Sequence, residues 1–128
     1  MPFSELCVTT NFTFLTGASH PEEYIRRAFK LNLKSIAITD INSVSGVVRG
    51  HRELLQIKED ILTYQNNIAE NINEYDKKVS IPKFIPGSCL KTNLGIYITA
   101  LPININGWSN LCSLLSKGYQ RSKKGECN

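Results

Sequence analysis

One residue in this sequence sits where chemistry is commonly delivered. A short apolar run through Ile36, Ala37 and Ile38 ends in Thr39-Asp40, then turns at Asn42 and Ser43 into a helical pattern. Buried parallel strands read this way when they carry a polar side chain to the open end of an α/β sheet or barrel, where the active groups of such folds gather. Asp40 is the carboxylate so delivered, and Ile41 beside it brings no donor atom. Thiols are the other candidate ligands. Cys7, Cys89, Cys112 and Cys127 are widely spaced, without a Cys-x-x-Cys pair, so they read as reduced thiols and not as a disulfide framework. His20 falls at a helix start beside Pro21 and His51 in mid-helix, positions that suit surface or capping roles. No Gly-rich phosphate loop, Gly-x-Ser-x-Gly elbow or His-Glu-x-x-His is present. Lys117, Arg121, Lys123 and Lys124 form an exposed basic cluster suited to phosphate contacts that do not read sequence.

These residues need elements to position them. Glu5 to Thr10 reads as a first strand, followed by a loop from Asn11 to Ala18 with two aromatic residues and Gly17. Ser19, Pro21 and Glu22 announce a helix with a Ser-x-x-Glu capping box, and Tyr24, Ile25, Ala28 and Phe29 continue it at helical spacing. The strand from Lys34 to Thr39 follows at once, which makes a strand–helix–strand unit. A second helix is expected from about Val44 to Ile57. Lys58 to Lys78 is polar and rich in Asn and Glu, and reads as a surface insertion of helix or turns. Ile81 to Leu90 reads as a third strand and Leu94 to Leu101 as a fourth, with Asn93 and Gly95 suggesting a hairpin between them. A last helix is expected from Asn106 to about Lys117-Gly118, and residues 119–128 read as a basic connecting tail.

The chain is long enough for one hydrophobic core, and its 41% hydrophobic and 20% charged residues place it among globular proteins. A net charge of +4 is compatible with nucleic acid or an acidic partner without selecting either. There is no apolar run of membrane-spanning length and no visible signal peptide, so a cytoplasmic protein with no membrane partner is expected.

Two long stretches carry a family resemblance. Residues Glu5 to Glu23 closely resemble the opening of the PHP (polymerase and histidinol phosphatase) domain that begins bacterial replicative polymerase alpha subunits. The similarity continues through Ile36-Ala37-Ile38-Thr39-Asp40 and Ser45-Gly46-Val47-Val48-Arg49, resumes over Leu111 to Gly118, and ends in Lys124-Gly125-Glu126-Cys127. It is greatest to the error-prone branch, the damage-tolerant polymerases of induced mutagenesis, translesion synthesis and DNA repair. The resemblance implies an α/β fold: a distorted (β/α) barrel of PHP type, incomplete here because a full barrel needs roughly twice this length. In active members the strand ends hold a metal cluster through His-x-His, Asp-His and Glu. In this sequence those positions fall on Cys7 and Thr9, on Asp40 and Ile41, and on or near Cys89. Only Asp40 is unchanged, so the resemblance implies a degenerate metal site with no metal and no catalytic residue in this chain.

The expected role is a non-catalytic structural platform for an error-prone polymerase. Its partners would be the rest of the polymerase polypeptide, DNA through the parent nucleotidyltransferase, and mutagenesis accessory proteins or a sliding clamp. In that role Asp40 would cap the following helix or hold the Asn42-Ser43 turn. One alternative is a metal-dependent phosphoesterase in which Cys7, Asp40 and Cys89 meet at the strand-end mouth around zinc or manganese. Another is a free-standing DNA-binding module using Lys117, Arg121, Lys123 and Lys124.

Overall fold

The computed structural model describes residues 3–69, 80–123 and 127. Eight elements follow in order: β1 (Ser4–Val8), α1 (Pro21–Lys30), β2 (Ser35–Ile38), α2 (Ser45–Ala69), β3 (Lys83–Pro86), β4 (Ser88–Lys91), β5 (Tyr97–Ala100) and α3 (Ile105–Arg121). β2 is central in a parallel sheet of order β1-β2-β3, and β4 pairs antiparallel with β5. The fold is therefore α/β, with a parallel sheet and no closed barrel among the described residues.

Every residue of β2 is buried, as expected of a central parallel strand. Val8, Ile36 and Ile38 of the sheet meet Ile25 and Ala28 of α1 and Val47, Leu54 and Ile57 of α2 in one core. No described helix is long and apolar enough to cross a membrane.

α1 begins one residue later than the capping-box reading. His20 is the N-cap and Pro21 the first helical residue, so Glu23 rather than Glu22 reaches back, its Oε2 accepting the His20 N–H at 2.7 Å. The pyrrolidine ring sets this frame, because proline suits the first helical position, where no N–H is needed. The helix stops at Asn32, whose φ of 53° is left-handed. The N–H groups of Asn32 and Leu33 donate to the Phe29 and Ala28 carbonyls at 3.0 Å each, a Schellman closure with Asn in the glycine's usual place.

Both later helices run longer than expected. α2 passes Ile57 and continues to Ala69, through the first part of the polar segment. Leu54, Ile57 and Ile61 keep one face turned inward, and residues 51–69 contain neither Gly nor Pro to stop it. The rest of that polar segment, 70–78, lies outside the described residues. α3 passes Gly118 to Arg121, so the first part of the basic tail is helical. Gly118 is buried, and the Tyr119 hydroxyl donates to the Asn42 carbonyl at 2.8 Å, which ties the last turn down. Burial raises the Tyr119 phenol above its ordinary pKa.

The expected third strand divides at Gly87. Its first half joins β2 and its second half turns to pair with β5, so the hairpin joins β4 to β5. The turn closes through Gly95, at φ 77°, whose N–H donates to the Thr92 carbonyl at 2.9 Å.

Two ion pairs link α1 to α2: Arg26 with Glu53 and Arg49 with Glu22, each at 2.6 Å. Burial works to raise the Glu22 carboxyl, but its backbone hydrogen bond and the Arg49 guanidinium outweigh it, so its pKa lies below the ordinary value of 4.5. A pKa lowered on folding stabilises the fold above the unfolded value and loses that contribution as pH falls through the folded one. Arg49→Gln is expected to cost under about 1 kcal/mol near neutral pH. The cost should vanish once the pH is well below 4.5. Urea melts at the two pH values check this, and an equal loss at both would remove the ion pair as its source.

Candidate functional site

Asp40 follows β2 and is completely buried. Its carboxylate is enclosed by the loop that follows β1. Oδ1 accepts the Thr10 N–H at 2.7 Å and the Thr13 hydroxyl at 2.9 Å, while the Thr10 hydroxyl lies 3.0 Å from Oδ1 and 2.9 Å from Oδ2. The same hydroxyls then work outward. Thr10 Oγ1 accepts the Phe12 N–H at 3.2 Å, and Thr13 Oγ1 accepts the Ile41 N–H at 3.0 Å. Such a carboxylate is a structural knot between the first loop and the end of the second strand.

Two glycines allow that knot to close. A Cβ on Gly46 would lie 2.5 Å from Asp40 Oδ2, so α2 can approach only without a side chain there. A Cβ on Gly17 would lie 2.0 Å from the Thr10 carbonyl oxygen, where the loop folds back on itself. The loop is held further by the Asn11 N–H to the Ser19 carbonyl at 2.9 Å and the Gly17 N–H to the Thr13 carbonyl at 3.0 Å. Thr10 and Thr13 are the site residues that residue-type reasoning missed. Their spacing in Thr10-Asn11-Phe12-Thr13 was the available signal, since hydroxyls three apart suit a turn that turns inward.

Asp40 neither caps α2 nor holds the Asn42-Ser43 turn with its side chain, whose hydrogen bonds go instead to Thr10 and Thr13. Ser43 Oγ accepts the Ser45 N–H at 3.1 Å instead, at the start of α2. The Asp40 main chain reaches β4: its carbonyl accepts the Cys89 N–H and the Ser88 hydroxyl, each at 3.0 Å.

The other expected ligand positions do not converge with it. Cys7 is exposed on β1, its Sγ 3.7 Å from Thr99 Oγ1 on β5. Thr9 is half-buried just beyond β1. Ile41 and Cys89 face each other across an isolated parallel bridge, joined through backbone groups. Among the described residues, no three His, Cys, Asp or Glu side chains come together as a metal-holding group. The expected meeting of Cys7, Asp40 and Cys89 is thus not formed, and the reason is that the Asp40 oxygens are turned into the Thr10–Thr13 loop. A catalytic metal cluster does not fit these residues: the Asp40 carboxylate already accepts from three protein donors, and Ile41 and Thr9 offer no imidazole.

Lys117 and Arg121 are exposed on α3 and Lys123 is exposed just beyond it, while Lys124 lies outside the described residues. His20 caps α1, with Nδ1 3.0 Å from Asn11 Nδ2. His51 is exposed, its ring 6.0 Å from that of Phe84.

Comparison with known proteins agrees with this geometry. Residues 5–127 match the PHP domain. An error-prone DNA polymerase of Ruegeria pomeroyi is 38% identical over 143 aligned positions, covering 100% of this chain and 13% of that protein. Error-prone DNA polymerase 1 of Rhizobium meliloti is 40% identical over 126 positions, covering 98% of this chain and 9% of that protein. The chain therefore spans about a tenth of the length of these relatives. Among solved structures, a candidate metal-dependent phosphoesterase of Bifidobacterium adolescentis shares the fold, with a TM-score of 0.52 and 16% identity over 96% of this chain and 36% of that one.

Proposed function

Because this chain belongs to the PHP domain family, we propose that it is the opening part of the PHP domain of an error-prone DNA polymerase, serving as a non-catalytic platform. In this reading polymerisation belongs to the rest of the polypeptide, and DNA is met through that parent enzyme in the cytoplasm during damage-tolerant synthesis. Mutagenesis accessory proteins or a sliding clamp would be further partners. Residues 58–78 act as a surface insertion and the segment beyond α3 as a connection. No residue of the chain has a catalytic role, and no metal is required.

One observation carries the proposal: the Asp40 carboxylate is occupied by the Thr10 N–H, the Thr10 hydroxyl and the Thr13 hydroxyl. A metal would compete with those buried donors for the carboxylate, and each donor left unpaired would cost about 1–3 kcal/mol. It would gain a single carboxylate in return. The side chain that an active site would spend on a metal is spent here on holding two strands and a loop together.

Elemental analysis of the purified protein, after incubation with zinc and with manganese and then gel filtration, tests the reading. The expected result is far less than one metal per chain for either ion, unchanged in Cys7→Ser and Cys89→Ser, with no hydrolysis of a phosphodiester such as bis-p-nitrophenyl phosphate. Stoichiometric metal that is lost in either cysteine variant would overturn it in favour of a phosphoesterase.

A further inference from the structure

We propose that the groove between the β4–β5 turn and α3 docks an acidic, leucine-bearing peptide segment of a partner protein. The groove has a volume of about 410 Å³; Leu94 and Leu114 supply its exposed apolar surface, beside the buried Leu115 and the half-buried Cys127. Leu94 is 84% exposed and Leu114 53%. Lys91, Lys117 and Arg121 line the same groove, and among the described residues no acidic side chain does. None of these three cations makes an ion pair among the described residues. Three like charges beside uncovered leucines leave both a repulsion and an apolar area that one occupant can relieve together.

The walls are fixed relative to each other by one residue. Asn42, at a left-handed φ of 49°, accepts the Lys91 N–H on its Oδ1 at 2.8 Å, while its carbonyl accepts the Tyr119 hydroxyl at 2.8 Å. The end of β4 and the last turn of α3 are therefore tied to the same point beyond β2. Lys91 is held at its edge with Nζ 5.6 Å from the centre of the Tyr97 ring. A groove whose walls are already in place loses little freedom on binding.

The lining also selects between anionic partners. Single-stranded nucleic acid is gripped by cations together with aromatic platforms on which bases stack. Among the described residues no aromatic side chain lines this groove, and phosphates would leave Leu94 and Leu114 uncovered. A peptide with carboxylates for the cations and leucines for the apolar wall satisfies both. This deepens the platform reading by naming what one of its surfaces holds. It rests on that reading only for the idea of a partner, and the metal analysis above can fail or hold independently.

Fluorescence anisotropy of a short labelled peptide of glutamates and leucines tests it on the full chain. Saturable binding is expected, weakened about tenfold or more, equivalent to about 1.4 kcal/mol, by Lys117→Glu combined with Arg121→Glu. Leu94→Ser should weaken it similarly. Replacing the peptide's leucines by serine should also reduce binding. All three substituted side chains are exposed, and circular dichroism confirms that each variant folds. Absence of saturable binding, or binding indifferent to Leu94→Ser, would overturn the proposal. Tighter binding of labelled oligothymidine, abolished by the same charge reversals, would overturn it in favour of a phosphate-binding face.

Discussion

Asp40→Ala is expected to remove about 3 kcal/mol of folding stability or more, since each buried donor left without its acceptor costs about 1–3 kcal/mol. The substitution leaves the Thr10 N–H, the Thr10 hydroxyl and the Thr13 hydroxyl buried without their acceptor. It also frees the Ile41 N–H from a hydroxyl that was oriented by the carboxylate. A domain of this size has about 5–15 kcal/mol in total, so the variant should sit near the edge of folding. Asp40→Asn keeps one oxygen for the Thr10 N–H and Thr13, but turns an amide N–H₂ toward a Thr10 hydroxyl that already accepts from Phe12. Its cost should be smaller, about 1–3 kcal/mol. Urea denaturation followed by circular dichroism measures both. A carboxylate kept for metal binding and otherwise idle would give a neutral or stabilising change, and a loss below about 1 kcal/mol in Asp40→Ala would reject the knot.

Gly17→Ala should cost the upper part of the roughly 1–3 kcal/mol typical of overpacking, or more. The new methyl would meet the Thr10 carbonyl oxygen at 2.0 Å and its carbon at 2.4 Å, both main-chain atoms. A flexible side chain could move aside, but Thr10 is pinned by Asp40 through its N–H and its hydroxyl. Loss of glycine's freedom in the unfolded chain would by itself stabilise by about 0.4–1 kcal/mol, so the sign of the measured change is diagnostic. A more stable Gly17→Ala protein would mean that the loop does not close on Thr10. Destabilisation that shrinks in an Asp40→Ala background would show that the two act on one contact.

These two substitutions also mark where sequence reading stops. Asp40 could be singled out because the apolar run before it and the turn after it are contiguous in the chain. Its partners were harder to read, since Thr10 and Thr13 lie 30 and 27 residues away and only their spacing marks them. Reading Asp40 as a cap for the next helix followed from local proximity, and local proximity was the wrong guide. The basic cluster divided in the same way. Its exposure was legible, but the pairing of Lys117 and Arg121 with leucines and with Lys91 of a different element was not.

The sequence by itself determined the alternation of strands and helices, the start of α1 to within one residue, and the family. Proline geometry and a buried Ile-rich run act over a few residues, and so they are written in neighbouring letters. Tertiary structure alone decided the rest. It split the third strand at Gly87 between two partners, carried α2 past Ile57 and α3 past Gly118, and turned the Asp40 carboxylate inward. Each of those outcomes depends on which distant groups satisfy a buried donor, a carbonyl or an apolar face. That competition is settled only when the whole chain has folded.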